Sequence, residues 1–151
     1  MKQLSLMLVS LALAVVLPAA TYNNTLNGSQ TASEAESITL NLTASGDLPG
    51  MNKITLQRDG QNVTGGSWRL AVLPQNADAA SNARGELVGT ISGGTLTLTA
   101  EGALVSASSV QVAIQSGTGE YAAVTSGTAT LNISADAENA SQLNGSLVLN
   151  F

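Results

Sequence analysis

The feature that most constrains this chain is a two-residue alternation of apolar and polar side chains, which runs from Ser37 to the C-terminus. In residues 37–45, SITLNLTAS, every second side chain from Ile38 onward is apolar and the intervening ones are Thr or Asn. Successive side chains of a β-strand point to opposite faces, so this pattern predicts a strand with one buried face. A helix would instead need apolar residues three or four positions apart.

The same alternation recurs in further short runs separated by turn residues. The runs are residues 53–58, 67–73, 85–92, 95–101, 109–115, 120–125, 127–135 and 143–151. Glycine pairs between alternating runs are typical of two-residue hairpins, so we expect 85–92 and 95–101 to pair around Gly93-Gly94.

Regularly spaced strands without a convincing helix indicate an all-β fold. We predict a single antiparallel barrel of about eight strands, with a β-sandwich as the alternative. We expect the final strand, which reaches Phe151, to pair back on an early strand, because a free terminal strand would fray. Closure would also remove exposed strand edges from a chain with few charges.

The first 20 residues are typical of a secretory signal peptide. Lys2 supplies the positive start, residues 4–17 are almost continuously apolar, and Pro18-Ala19-Ala20 offers small residues for cleavage. The apolar run is shorter than the roughly 20 residues that a membrane-spanning helix needs. We therefore expect a secreted, extracellular or cell-surface protein with no permanent membrane span.

Removal of this signal would leave two parts. Residues 21–36, TYNNTLNGSQTASEAE, are polar and lack periodicity, so we expect a flexible leader. Residues 37–151 are long enough for one domain with a single core, the barrel. Residues 74–84, PQNADAASNAR, form the one long predicted loop.

The chain contains neither cysteine nor histidine. It therefore lacks disulfides, thiolate nucleophiles, and the side chain that most often serves as metal ligand or general base. Ten carboxylates against five Lys and Arg side chains give a net charge of −5, which argues against nucleic acid as a partner. We predict no cofactor and no metal site, and a conventional hydrolase has no supporting motif.

Residues 116–132, SGTGEYAAVTSGTATLN, combine a glycine-rich turn with an aromatic residue and a further glycine. Their local pattern predicts a tight hairpin, but it also resembles the signature of allene oxide cyclase and dirigent-type barrels, with a closing glycine one residue late. The resemblance implies an eight-stranded antiparallel barrel that binds a small apolar molecule and directs its cyclisation or coupling. No catalytic residue of those families can be aligned. The matching residues are Gly117, Thr118, Gly119, Tyr121 and Gly127.

Four side chains are candidates for ligand binding. Glu86 and Glu101 lie about equally far from the predicted glycine turn, which would pair two carboxylates for acid–base chemistry or leave them as a solvated pair. Trp68 with Arg69 could bind a cyclic or carboxylate-bearing ligand, but alternation puts them on opposite faces and favours a core position for Trp68. Tyr121 enters through the family resemblance.

The N-glycosylation motif Asn-x-Ser/Thr is frequent in this chain. Motifs on polar strand faces or in turns could bear glycans without disturbing a core, although asparagine also suits such positions for structural reasons. The candidate residues are Asn23, Asn27, Asn41, Asn62, Asn132, Asn139 and Asn144.

Two functional hypotheses follow. The first is a secreted or cell-surface, non-catalytic β protein with a structural or interaction role, which is glycosylated or self-associates, or binds an extracellular matrix or surface partner. The second is an allene oxide cyclase/dirigent-like barrel that binds a small apolar molecule and has cyclase, isomerase-like or dirigent activity. They differ in whether one face leaves a cavity or fills it, the face that carries Trp68, Leu70, Leu96 and Leu98.

Overall fold

The computed structural model describes residues 20–73 and 84–151. Eight strands form a closed antiparallel barrel in which neighbours in the chain are neighbours in the sheet, and β8 pairs with β1. The barrel prediction is thereby confirmed, as is the pairing of the last strand with an early one. The strands are β1 (Thr21–Ser33), β2 (Ser37–Gly46), β3 (Gly50–Asp59), β4 (Asn62–Val72), β5 (Gly85–Leu98), β6 (Leu104–Gly117), β7 (Gly127–Ala135) and β8 (Leu143–Asn150).

The expected signal peptide and almost all of the expected 74–84 loop lie outside the described residues. Within those residues, none of the helical structure is long and apolar enough to cross a membrane.

The strands run alternately up and down, so all connections lie at two ends of the barrel. The terminal end contains Ala20, Phe151, the connections that follow β2 and β6, and Leu73 and Arg84, which flank the undescribed residues after β4. The hairpin end contains the turns that follow β1, β3, β5 and β7. At the terminal end the Ala20 amide donates to the Phe151 carbonyl at 2.9 Å, and the Phe151 amide donates back at 3.2 Å.

Side chains from all around the barrel fill its interior. A side chain that lines a cavity wide enough for water has some accessible surface. Large inward side chains from seven strands have none, so they line no such cavity. An eight-stranded barrel has an interior just wide enough for side chains to fill. These fully buried residues include Ile38, Leu40, Leu42, Ile54, Leu56, Leu70, Leu87, Leu96, Val110, Leu131, Leu147 and Leu149.

The segment expected to be a flexible leader is the strand that closes the barrel. Residues 21–33 form β1, so the prediction for 21–36 is wrong over most of its length. One side of β1 pairs with β2, and the other pairs with β8 from Thr21 opposite Asn150 to Gly28 opposite Leu143.

Polar side chains at inward positions explain why the sequence of β1 shows no apolar period. Leu26 is its one buried aliphatic side chain. Asn24 also points inward, where its Oδ1 accepts a hydrogen bond from the Leu48 amide at 2.9 Å. This bond satisfies the side-chain oxygen, while Asn24 Nδ2 is buried without a partner among the described residues. Hydrogen bonding of the oxygen lowers the cost of burial, so a strand can form without alternating hydrophobic residues.

The predicted hairpin at Gly93-Gly94 is also wrong. Strand β5 runs through this glycine pair, and the turn to β6 follows Leu98. The pairing of β5 with β6 shifts register on both sides of Gly93, so the glycines form a bulge rather than a turn. Gly94 has φ +150°, and a Cβ there would lie 3.0 Å from the Val110 Cα. Glycine fits both constraints because it has no Cβ.

The glycine-rich stretch before β7 is a longer connection than a tight hairpin. Strand β6 extends to Gly117, and residues 118–126 lead to β7 through a 3-10 turn at Gly119–Tyr121. The tight hairpin and the weak strand expected over 120–125 are therefore absent. A Cβ at Gly117 would lie 2.1 Å from the Tyr121 carbonyl oxygen, so the connection folds back closely onto the end of β6.

Truncation of Leu26 tests whether β1 belongs to the core. Because Leu26 is 3% exposed, Leu26→Ala should lower the free energy of unfolding by about 2–5 kcal/mol, as measured by urea denaturation. The outward neighbour provides the control: Thr25→Ala should cost less than about 1 kcal/mol. Equal small effects would mean that residues 21–33 are a leader.

Candidate functional site

The terminal end of the barrel gathers three of the chain's four aromatic side chains. Tyr22 on β1 and Phe151 after β8 stack with their ring centroids 4.8 Å apart. Tyr121, from the connection before β7, meets Phe151 edge-on at 6.2 Å. The rings pack against the buried core and cover this end of the barrel.

An ion pair holds the glycine-rich connection beside these rings. Arg84 donates to Glu120 through Nε at 2.9 Å and through a second guanidinium nitrogen at 3.3 Å. The Glu120 amide also donates to the Arg84 carbonyl at 2.9 Å. The guanidinium carbon of Arg84 lies 6.0 Å from the centre of the Tyr121 ring. The sequence analysis missed this pair, since no local pattern connects residues 36 positions apart.

The electrostatics of this pair do not suit general base catalysis. The hydrogen bond from Arg84 lowers the pKa of Glu120, and the same bond raises the pKa of Arg84. Burial raises the pKa of Tyr121. The carboxylate is thus held in its charged form and is a weaker base than a free one. The geometry of the Arg84–Glu120 ion pair indicates that it anchors the 118–126 connection.

Trp68 is a core residue whose polar atom is already paired. Its side chain is 1% exposed. The indole Nε1 donates to Asn52 Oδ1 at 3.0 Å, and Asn52 Nδ2 donates to the Leu42 carbonyl at 3.4 Å. In this structure the ring is therefore inaccessible to a ligand. This agrees with the core position that the alternation of side chains favoured for Trp68.

The two candidate carboxylates lie at opposite ends of the barrel. Glu86 is the second residue of β5, at the terminal end, and faces Arg69, with Oε2 and Nε 3.7 Å apart. Glu101 lies in the turn after β5, at the hairpin end. They are apart because β5 continues through Gly93-Gly94, so the acid–base pair that the predicted hairpin would form does not exist.

The hairpin end has a surface groove of about 360 Å³ that Glu101 helps to line. Next to it, Gln30 Oε1 accepts from the Leu104 amide at 2.8 Å, while its Nε2 donates to the Gly102 carbonyl at 3.0 Å. Ser33 Oγ donates to the same carbonyl at 2.9 Å. Since β1 and β6 are not neighbours in the sheet, these bonds cross the mouth of the barrel and close it.

The hairpin end is also the acidic end of the described chain. Its turns carry six carboxylates and one cation, Arg58, whereas Asp47, Glu86 and Glu120 elsewhere are balanced by Lys53, Arg69 and Arg84. Across residues 20–73 and 84–151, however, no three acidic side chains come together as a metal site. The acidic residues are Glu34, Glu36, Asp59, Glu101, Asp136 and Glu138.

The buried pair of Trp68 and Asn52 can be tested by substitution. Trp68→Phe leaves Asn52 Oδ1 buried without its donor, so the free energy of unfolding should fall by about 1–3 kcal/mol. The double variant Trp68→Phe/Asn52→Leu should lose less than the sum of the single variants, because removal of both partners leaves no orphaned group. Urea denaturation followed by circular dichroism measures this. Additive losses would show that the hydrogen bond contributes no coupling.

The Arg84–Glu120 pair predicts a specific pH dependence. The hydrogen bond from Arg84 lowers the pKa of Glu120 in the folded state, so its stabilising effect exists at neutral pH and disappears as the pH falls through that lowered pKa and the carboxyl is protonated. Wild type should therefore have a higher Tm than Glu120→Gln at pH 7 and low salt, with the difference vanishing in acid. Glu101→Gln, at the other end, is the control. A pH-independent difference would contradict the assignment.

No known protein assigns a family or a function to this chain. Comparisons with family models, with curated proteins and with solved structures find no match for this chain. The function must therefore be argued from the chain's own residues.

Proposed function

We propose that the protein is exported and acts outside the cell, or at its surface, as a non-catalytic β-barrel with a structural or interaction role. The observation that carries this proposal is the filled interior. A site for a small molecule is usually a pocket of about 300–1,000 Å³ lined by apolar side chains. Here large inward side chains from seven strands have zero exposure. Aromatic rings pack at one end of the barrel, and hydrogen bonds cross the other.

The distribution of reactive groups also supports a non-catalytic role. The four candidate side chains do not converge: Trp68 is in the core, Tyr121 is 9% exposed beneath its connection, and Glu86 and Glu101 lie at opposite ends. With neither histidine nor cysteine in the chain, no nucleophile can be combined with its usual base.

Two features support a role outside the cell. Residues 1–20 have the composition of an export signal. A closed barrel has no unpaired strand edge, which lowers its tendency to aggregate where no chaperone is present.

The alternative is an allene oxide cyclase/dirigent-like barrel that binds a small apolar molecule and directs its reaction. It is favoured by the eight-stranded antiparallel barrel and by the glycine-rich connection that follows Gly117. It requires an interior space, which the packing of Trp68, Leu70 and Leu96 does not leave.

Native mass spectrometry of the protein from its own host separates the two functions. We expect a mature chain that begins near residues 20–22 and carries no small mass that denaturation releases. A constant extra mass, lost on denaturation, would contradict the proposal and favour the ligand-binding barrel. A chain that retains residues 1–19 would contradict export by cleavage of the signal.

A cavity variant serves as the matched control for ligand binding. Leu70→Ala should open an apolar cavity in the interior, and such engineered cavities bind benzene. Benzene should then raise the Tm of Leu70→Ala and leave that of wild type unchanged. Stabilisation of wild type by benzene would indicate an interior space and contradict the proposal.

A further inference from the structure

More than half of the barrel wall is free of acidic and basic side chains. Strands β7, β8, β1 and β2 are contiguous in the closed barrel, and none of them contains Asp, Glu, Lys or Arg. We call these four strands the neutral half. The neighbouring β6 also lacks acidic and basic residues, and the loop between β7 and β8, which carries Asp136 and Glu138, is not part of the neutral half. Its outward side chains are almost all Thr, Ser and Asn. The charged wall residues, such as Lys53, Arg69 and Glu86, lie on β3, β4 and β5.

Five of the seven Asn-x-Ser/Thr motifs fall on this neutral half. Their asparagines are Asn23 and Asn27 on β1, Asn41 on β2, Asn132 on β7 and Asn144 on β8, and a sixth, Asn139, lies in the loop that joins β7 to β8. The seventh, Asn62, begins β4 at the hairpin end. Sequence position does not reveal this grouping, because β1 and β2 meet β7 and β8 only through barrel closure.

The strand geometry presents these motifs outward. In Asn41-Leu42-Thr43, the asparagine and threonine are exposed and the intervening leucine is fully buried. Successive side chains of a strand alternate between its two faces. In every strand motif, the asparagine amide that would carry the glycan and the Ser or Thr hydroxyl therefore lie on the same outer face. A glycan on such an asparagine would extend into solvent without displacing a core side chain.

The motifs differ in how their asparagine side chains are engaged. Asn27 Oδ1 accepts a hydrogen bond from Gln142, and Asn132 Oδ1 accepts one from the Ser109 amide at 2.9 Å. Asn27 also lies directly opposite Asn144, so two glycans there would crowd each other. Within the described ranges, the Asn41 side chain has no hydrogen bond and faces solvent.

We propose that the neutral half is the glycan-bearing side of the protein, that Asn41 is an occupied site, and that β3–β6 remain bare. This inference rests on the proposed export. Asn41 Nδ2 would bond to C1 of an oligosaccharide carried on a polyprenyl phosphate lipid. The C1–O bond to the lipid phosphate breaks, the lipid phosphate leaves, and the amide loses one proton. A membrane oligosaccharyltransferase of the host supplies the sugar donor and catalysis.

Glycopeptide mass spectrometry of protein from its own host tests this placement. We expect a covalent glycan at Asn41 and unmodified Asn62. Both Asn41→Gln and Thr43→Ala should abolish that glycan, because each destroys the motif. Thr39→Ala changes an outward threonine of the same strand outside any motif and should retain the glycan.

Each alternative outcome overturns the placement. Unmodified Asn41, a glycan on Asn62, or an Asn41 glycan that survives Thr43→Ala would each contradict it. Far-ultraviolet circular dichroism checks that the variants fold, and Thr43→Ala preserves the asparagine should Asn41→Gln perturb β2. The glycan proposal and the proposed function fail on different observations. A glycan is covalent and persists on denaturation, whereas a bound small molecule is released. An exported, ligand-free and unmodified protein overturns only the glycan proposal.

Discussion

The pairing of β1 with β8 is the contact on which the rest of the structure depends. It joins the first and last strands across most of the chain, with Thr21 Oγ1 donating to Asn150 Oδ1 2.7 Å away, although the two residues are 129 positions apart. Without it, β1 and β8 would each present an open edge and the inward leucines would lose their cover. Leu26 supplies the apolar contact of this strand, while Asn24 and Gln30 are held by hydrogen bonds.

Closure has a direct consequence for function. A barrel of eight strands encloses little more space than its side chains need, and here Trp68 and the surrounding leucines occupy that space. The terminal end is covered by the rings of Tyr22, Tyr121 and Phe151, and the hairpin end by hydrogen bonds that cross its mouth. What remains available to other molecules is the outer wall, which is divided into a neutral half and a half that carries charge.

The sequence predicted those parts of the fold in which apolar side chains mark the buried face, such as β2 and β8. It failed for β1, because Asn24 and Gln30 occupy inward positions and break the apolar period. It failed at Gly93-Gly94 because a glycine pair suits a turn and a bulge equally, and only the register with β6 decides between them. The carboxylate site depended on that turn, so Glu86 and Glu101 were paired wrongly. Contacts between distant residues, such as Arg84 with Glu120, leave no local signal.

Hydrogen exchange of backbone amides, followed residue by residue by NMR, tests the closure most directly. If β1 completes the barrel, its hydrogen-bonded amides should be protected to a degree similar to those of β3 and β4, since opening the β1–β8 seam would require loss of core packing. If residues 21–33 instead exchange at the rate of an unfolded chain while β2 to β8 remain protected, β1 does not close the barrel. The filled interior and the grouping of the neutral half would then both be wrong.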